Sequence, residues 1–179
     1  MASTEPVDHV DEIIQQWTRE RPQLDVSGMA IIGRITRLER VIRPQLDAVF
    51  ARHDLESWEF DVLATLLRSG HPHQLTPGQL LDSMMITSGA MTNRIDRLER
   101  RSLVKRTKDP ADGRQVLVGL TTKGLTVVDS ALVDHAANER DIIGALTPDQ
   151  HDQFVDLLRR LSLDVAGRAG DPQRTIAST

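Results

Sequence analysis

At 179 residues, with 39% hydrophobic and 27% charged side chains, the chain has an ordinary globular composition and room for one sizeable core plus a dimerisation region. It contains no cysteine, which excludes disulfides, thiolate metal sites and cysteine nucleophiles. The formal charge is −4, the first residues are acidic where a signal peptide needs a basic and then an apolar run, and no stretch approaches the ~18 apolar residues of a membrane span; the expectation is a soluble, cytoplasmic protein.

Residues 8 to 21 place Val10, Ile13, Ile14 and Trp17 on one face of an amphipathic helix, which Pro22 ends. A longer helix is predicted from Asp25 to Arg52, with Met29, Ile32, Ile35, Leu38, Ile42, Leu46 and Val49 spaced by three or four; Pro44 predicts a kink near residues 40 to 43. Ser57 can cap a third helix reaching Arg68. Thr76, Pro77 and Gln79 form a capping box with proline in the first turn, and "TPDQ" at 147 to 150 repeats it, whereas "TTKG" at 121 to 124 opens a helix more weakly. Between these starts lie a second short helix over 88 to 101 and two β-rich runs, "LVKRT" and "QVLVGL". The connection "KDPADGR" has the Asp, Pro and Gly of a turn, so a hairpin is predicted. Helices over about 122 to 143 and 148 to 167 follow, then a tail expected to be disordered.

Charge is not spread evenly over these elements. Residues 87 to 114 hold eight Lys or Arg against four Asp or Glu, a local +4, so the remainder carries −8. A localised surplus of this kind suits an anion-binding face, although a helix laced with exposed ion pairs would also account for it. The element order, a short capped helix, a tight connection through Thr87 and Ser88, a second helix and a basic hairpin, is that of a winged helix-turn-helix. In the second helix Met91, Ile95 and Leu98 face inward, leaving Ser88, Gly89, Thr92, Asn93, Asp96, Arg97 and Arg100 outside. Small hydrogen-bonding residues at its start are indifferent helix formers but suit base edges in a major groove, and the arginines suit phosphate or guanine.

The stretch "LTPGQLLDSMMITSGAMTNRIDRLERRSLVKRTKDPADGRQVLVGLTTKG" resembles the DNA-binding lobe of the MarR family of bacterial transcriptional regulators, down to Asp109, Asp112 and Arg114 of the hairpin and the "LTTKG" after it. The resemblance covers about residues 26 to 167. It implies a mainly α fold with a small β wing, a homodimer formed by N- and C-terminal helices, and two lobes reading a pseudo-palindromic operator, with Thr87, Ser88, Gly89, Thr92, Asn93, Arg97, Arg100, Lys105, Arg106, Lys108 and Arg114 on the DNA. The organisation expected is N-terminal helices at 1–52, the winged lobe at 53–120, C-terminal dimerisation helices at 121–167 and the tail at 168–179. Two positions depart from the family pattern. Ser102 stands where the pattern has Gly, and since a left-handed cap with Ser costs roughly 1 kcal/mol, a different helix end is expected there. Gly113, often basic in relatives, shifts minor-groove contact onto Arg114.

An added first helix with Trp17 and Arg21, together with Asp61 and Arg94, is similar to the set in urate-responsive members of the family. There the tryptophan and first arginine help hold an anionic purine, and the aspartate and second arginine couple the pocket to the DNA helix. The residues are chemically apt: Trp17 and Arg21 at i and i+4 offer a flat plate beside a forked donor, and Arg94 borders the buried face of its helix, from which it is expected to reach Asp61. Taken singly, Trp17 also reads as a core or dimer aromatic, Asp61 as a helix-start carboxylate and Arg94 as a phosphate contact. The expected function is a ligand-responsive repressor released by urate or a related purine. The alternatives are a regulator answering to phenolic or lipophilic carboxylates, and a non-DNA helical module whose basic helix binds an acidic partner. No cofactor or metal is expected, because His71 and His73 read as solvated loop histidines and His135 and His151 are isolated on helices. No Gly-rich phosphate cradle, G-x-S-x-G elbow or H-E-x-x-H is present, so an enzyme is not expected.

Overall fold

The computed structural model describes residues 6–84, 91–110 and 112–169. Seven helices and three strands are described: α1 (His9–Glu20), α2 (Ser27–Arg52), α3 (Ser57–Arg68), β1 (Gln74–Leu75), α4 (Pro77–Ser83), α5 (Met91–Arg100), β2 (Val104–Lys108), β3 (Val116–Leu120), α6 (Thr122–Ile142) and α7 (Pro148–Ala169). They fall into two compact units, residues 1–46 and 47–179, which divide within α2 just past Pro44. The predicted tail lies outside the described residues beyond position 169.

In the first unit α1 starts on a full capping box. The Asp8 carboxylate accepts from the backbone N–H of Val10 and Asp11 (2.8 and 3.1 Å), and the Asp11 carboxylate accepts from Asp8 N–H (3.0 Å). Arg34 of α2 then clasps both carboxylates, at 2.9 Å from Asp8 and 2.6 Å from Asp11. Val10 is buried beside Gly33, where a Cβ would sit 3.2 Å from the valine methyl, so glycine lets the two helices close. The hydrogen bond from Arg34 holds the Asp11 carboxyl below the usual range. A carboxyl with a lowered folded-state pKa stabilises the fold above its unfolded value, and that contribution fades as pH falls through the lowered one. Thermal melts of wild type and Arg34→Ala should therefore differ at neutral pH and converge below the ordinary carboxylate range.

The second unit is built on α3, whose Phe60, Val62, Leu63 and Leu66 are buried together with Leu80, Ile95, Leu98, Val118 and Val128. Each such side chain contributes about 1.5–3 kcal/mol of transfer free energy. The cap of α3 is Glu56 rather than Ser57. Ser57 instead donates its hydroxyl to Asp47. The Thr76–Gln79 box is as expected, with reciprocal bonds of 2.9 and 3.1 Å, and Thr147 and Gln150 repeat it at 2.9 and 3.3 Å. The sheet is antiparallel with order β1-β3-β2. The expected hairpin pairs Val104 with Leu120 through Lys108 with Val116. The two-residue β1 was too short to carry a period and did not register in the sequence pattern.

Ser102 keeps the left-handed conformation that its side chain makes unfavourable, φ 59°, so the different helix end expected from the missing glycine does not occur. The neighbourhood imposes it. Leu103 N–H reaches back to Leu98 O at 3.0 Å, and the Ser102 carbonyl accepts from the Thr121 hydroxyl at 2.7 Å. Ser102→Gly should gain up to about 1 kcal/mol in urea unfolding, the relief of left-handed strain being partly offset by a freer unfolded chain.

Candidate nucleic-acid interface

The face assigned inward on α5 is inward. Met91, Ile95 and Leu98 are buried, while Thr92, Asn93, Arg97 and Arg100 are exposed. Beside this helix the β2–β3 hairpin shows Lys105, Lys108 and Arg114 to solvent. Its far end is held by Asp109 N–H to Gln115 O (3.0 Å), Gln115 N–H to Asp112 O (2.8 Å) and Arg114 N–H to the Asp112 carboxylate (3.0 Å), and a Cβ on Gly113 would meet open space. Thr87, Ser88 and Gly89 lie outside the described residues.

Two of the arginines assigned to DNA are engaged within the protein. Arg106 of β2 pairs with Asp96, at 2.5 Å, and with Glu99, tying the hairpin to α5. Arg97 pairs with Glu56 at the start of α3, and its guanidinium stacks 4.7 Å above the ring of Trp58. The indole Nε1 of Trp58 donates to the same Glu56 carboxylate at 2.7 Å. These hydrogen bonds, from Trp58 first and Arg97 second, lower the pKa of Glu56, so it is ionised at neutral pH.

The C-terminus of α5 is fastened more deeply. Arg101 donates to Glu59 (2.5 Å), to the Asp54 carboxylate (2.7 Å) and to the Asp54 carbonyl (2.5 Å). Glu59 is 1% exposed, and its Oε2 also accepts the Glu56 N–H at 3.0 Å. Across the next turn, Thr121 caps α6 by accepting from Gly124 N–H at 2.9 Å, and its own N–H bonds Leu103 O at 3.1 Å. Neither Arg101–Glu59 nor the Glu56–Trp58–Arg97 group was singled out from sequence. Partners about forty positions apart leave no periodic signal, and the one cue was a Glu, Ser, Trp, Glu run at a helix start.

The residues expected to serve a ligand divide between the units. In the first, Trp17 is half-exposed near the end of α1, and Arg21 is the cap just past it, its N–H bonded to Trp17 O at 2.8 Å. A groove of about 940 Å³ runs between α1 and α2, lined by Val10, Ile13, Val26, Met29 and Ile32 with Arg37 and Arg40; Trp17 and Arg21 do not line it. In the second, Asp61 is exposed on α3, and Arg94 is half-buried on α5 with its guanidinium 5.4 Å over Trp58. The Nη1 of Arg94 is buried with no hydrogen-bond partner. Such an orphaned donor costs free energy until an acceptor arrives.

Of the two histidines expected to be solvated, one departs from that expectation. His71 is exposed, but His73 is half-buried with Nδ1 3.1 Å from Leu67 O, and His135 packs against Phe50 and Phe60. Among the described residues no cluster of three or more His, Asp or Glu could hold a metal ion, and no helix is long and apolar enough to cross a membrane.

The MarR family model matches residues 53–115, which run from the end of α2 to the hairpin. The regulator PecS of Dickeya dadantii (strain 3937), an HTH-type transcriptional regulator, is 38% identical over 152 residues, 85% of this chain and 92% of that protein. The chain belongs to the MarR family. Its relatives are transcriptional regulators rather than enzymes. The winged helix fold of the family extends over most of the chain: a mutant of MarR from E. coli, complexed with operator DNA, superposes with TM-score 0.64 at 24% identity, covering 81% of this chain and 96% of that one. An organohalide-sensing regulator in its 2,4-dichlorophenol-bound form reaches TM-score 0.72 at 15% identity, covering 100% and 98%. The buried stripe of α5 seats that helix on the core, Arg101 fastens its C-terminus to Glu59 and Asp54, and Arg106 of β2 ties it to the hairpin through Asp96 and Glu99.

Proposed function

We propose that the chain is a homodimeric repressor that grips a pseudo-palindromic operator with α5 and the β2–β3 hairpin and lets go when a small anion, urate or a related purine, binds. The observation that carries the DNA half is the polar face of α5, Thr92, Asn93, Arg97 and Arg100, exposed beside the basic side chains of the hairpin. Thr87, Ser88, Gly89, Thr92 and Asn93 would meet base edges; Arg100, Lys105, Lys108 and Arg114 would meet phosphate, Arg114 at the minor groove, with Arg97 and Arg106 joining after exchange of their carboxylate partners. Support for the dimer comes from two exposed apolar rows that water does not favour, Met29, Ile32, Ile35 and Leu38 on α2 and Phe154, Leu157, Leu163 and Val165 on α7.

The ligand half is supported by the buried Nη1 of Arg94, which awaits an acceptor, and by the open indole of Trp17, a surface on which a planar anion can stack. Arg94 was expected to reach Asp61, but among the described residues it makes no ion pair with it. In this mechanism the anion takes the open Arg94 donor ahead of Asp61, or repels Asp61, and the recognition helix shifts with the arginine. The ligand must then favour the arrangement that does not bind DNA, by the ~1–3 kcal/mol usual for such coupling. The apolar groove between α1 and α2, edged by Arg37 and Arg40, favours a second reading in which a lipophilic carboxylate is the effector.

Titration of urate, xanthine and salicylate into the protein on its own upstream duplex separates these readings. Release by the purines, lost in Asp61→Asn and Arg94→Ala while DNA binding persists, is the expected result. Release by salicylate alone selects the second reading, and an undiminished urate response in both variants refutes the mechanism.

A further inference from the structure

Arg97 lies on the face of α5 turned to solvent, yet its guanidinium is already occupied by the Glu56 carboxylate and by the ring of Trp58. The pair is wet, with Arg97 48% and Glu56 57% exposed, and exposed ion pairs contribute little to folding. The seat of α5 does not depend on it, because the helix is held by Met91, Ile95 and Leu98 underneath and by Arg101 on buried Glu59 at its end. A carboxylate presents the same forked pair of anionic oxygens to a guanidinium as a phosphate does. The Trp58 N–H fixes that carboxylate at 2.7 Å, and the Trp58 ring steadies the arginine plane beside it.

We propose that Glu56 is a built-in phosphate mimic, which holds Arg97 in the free protein and must be displaced by the duplex backbone, so that it sets the operator affinity. The inference rests on the DNA-binding reading above and adds a positioning residue to it. Displacement leaves an ionised carboxylate beside a polyanion, and this repulsion opposes binding in every complex the protein forms, independent of sequence. Glu56 therefore tunes affinity without reading bases.

The test is a cycle of wild type, Glu56→Gln, Arg97→Ala and the double variant, with each fold checked by thermal melting and duplex affinity measured across a salt series. Gln keeps the length and one acceptor oxygen while removing the charge. Glu56→Gln should bind severalfold tighter on specific and unrelated duplexes alike. Arg97→Ala should bind more weakly, with a log K against log salt slope shallower by about 0.9 for each arginine lost. In the Arg97→Ala background, Glu56→Gln should retain only the smaller gain that comes from relieving the carboxylate's repulsion of the backbone, because there is no longer a pair to break. Glu56→Asp, which pulls the carboxylate back, should move affinity in the same direction as Gln and serves if the Gln variant melts early. Unchanged or weaker binding by the Glu56 variants, or a gain that is undiminished by loss of Arg97, overturns the proposal. A wild type that binds no duplex at all refutes the regulator reading instead, so the two failures are distinct.

Discussion

Gly124→Ala is expected to destabilise the second unit by about 1–3 kcal/mol or more, the range for overpacked sites. The reason is a single contact. A Cβ at this position would fall 1.9 Å from the carbonyl oxygen of Leu103 and 2.9 Å from its carbonyl carbon, and both belong to backbone that cannot rotate away. That carbonyl accepts the Thr121 N–H, so pushing α6 off it also breaks the bond that joins the helix cap to the chain just past α5. Alanine inside a helix normally gains about 1 kcal/mol over glycine, so the sign of the effect decides between steric and propensity control. Gly78→Ala is the matched control, because its Cβ would meet only the Thr76 hydroxyl at 3.8 Å. Urea unfolding should show Gly78→Ala neutral or stabilised and Gly124→Ala clearly destabilised; equal behaviour would contradict the contact.

Arg101→Ala should be costlier still, on the order of 3 kcal/mol, the lower end of the range for removing one partner of a buried pair. Glu59 is 1% exposed and its Oε1 has no partner even in the intact protein, so without Arg101 the carboxylate keeps only the Glu56 N–H. Desolvation, not lost attraction, dominates that cost. The double variant Arg101→Met, Glu59→Leu should therefore recover most of the stability, since apolar residues of similar volume often replace a buried pair without loss. Chemical denaturation of the wild type and these two variants checks this, and a double variant as unstable as Arg101→Ala would show that the pair contributes directionally rather than by mutual neutralisation.

Local rules made most of the fold legible. The capping boxes at Thr76 and Thr147 involve partners three residues apart, and the buried stripe of α5 repeats within two turns, so each is written in a short window of sequence. The hairpin followed from turn chemistry between two β-rich runs. Long-range choices were not legible. Ser57 and Glu56 are both acceptable at a helix start, and Asp47, ten residues away, took the serine hydroxyl. Ser102 adopts a backbone angle its side chain disfavours because Leu98 and Thr121 fix the chain on either side. The candidate interface shows the same limit. The exposure of Thr92, Asn93 and Arg100 followed from helical phase, whereas the engagement of Arg97 by Glu56 and of Arg106 by Asp96 and Glu99 depends on which elements the fold brings side by side.

The central claim, that α5 and the hairpin grip a duplex, is tested most directly by the salt dependence of binding to the upstream operator and to an unrelated duplex of equal length. Two lobes with several phosphate contacts predict a log K against log salt slope of about −5 or steeper for both duplexes, with the operator bound at least ~10³-fold more tightly. A slope near zero, or equal affinity for the two duplexes, would contradict it.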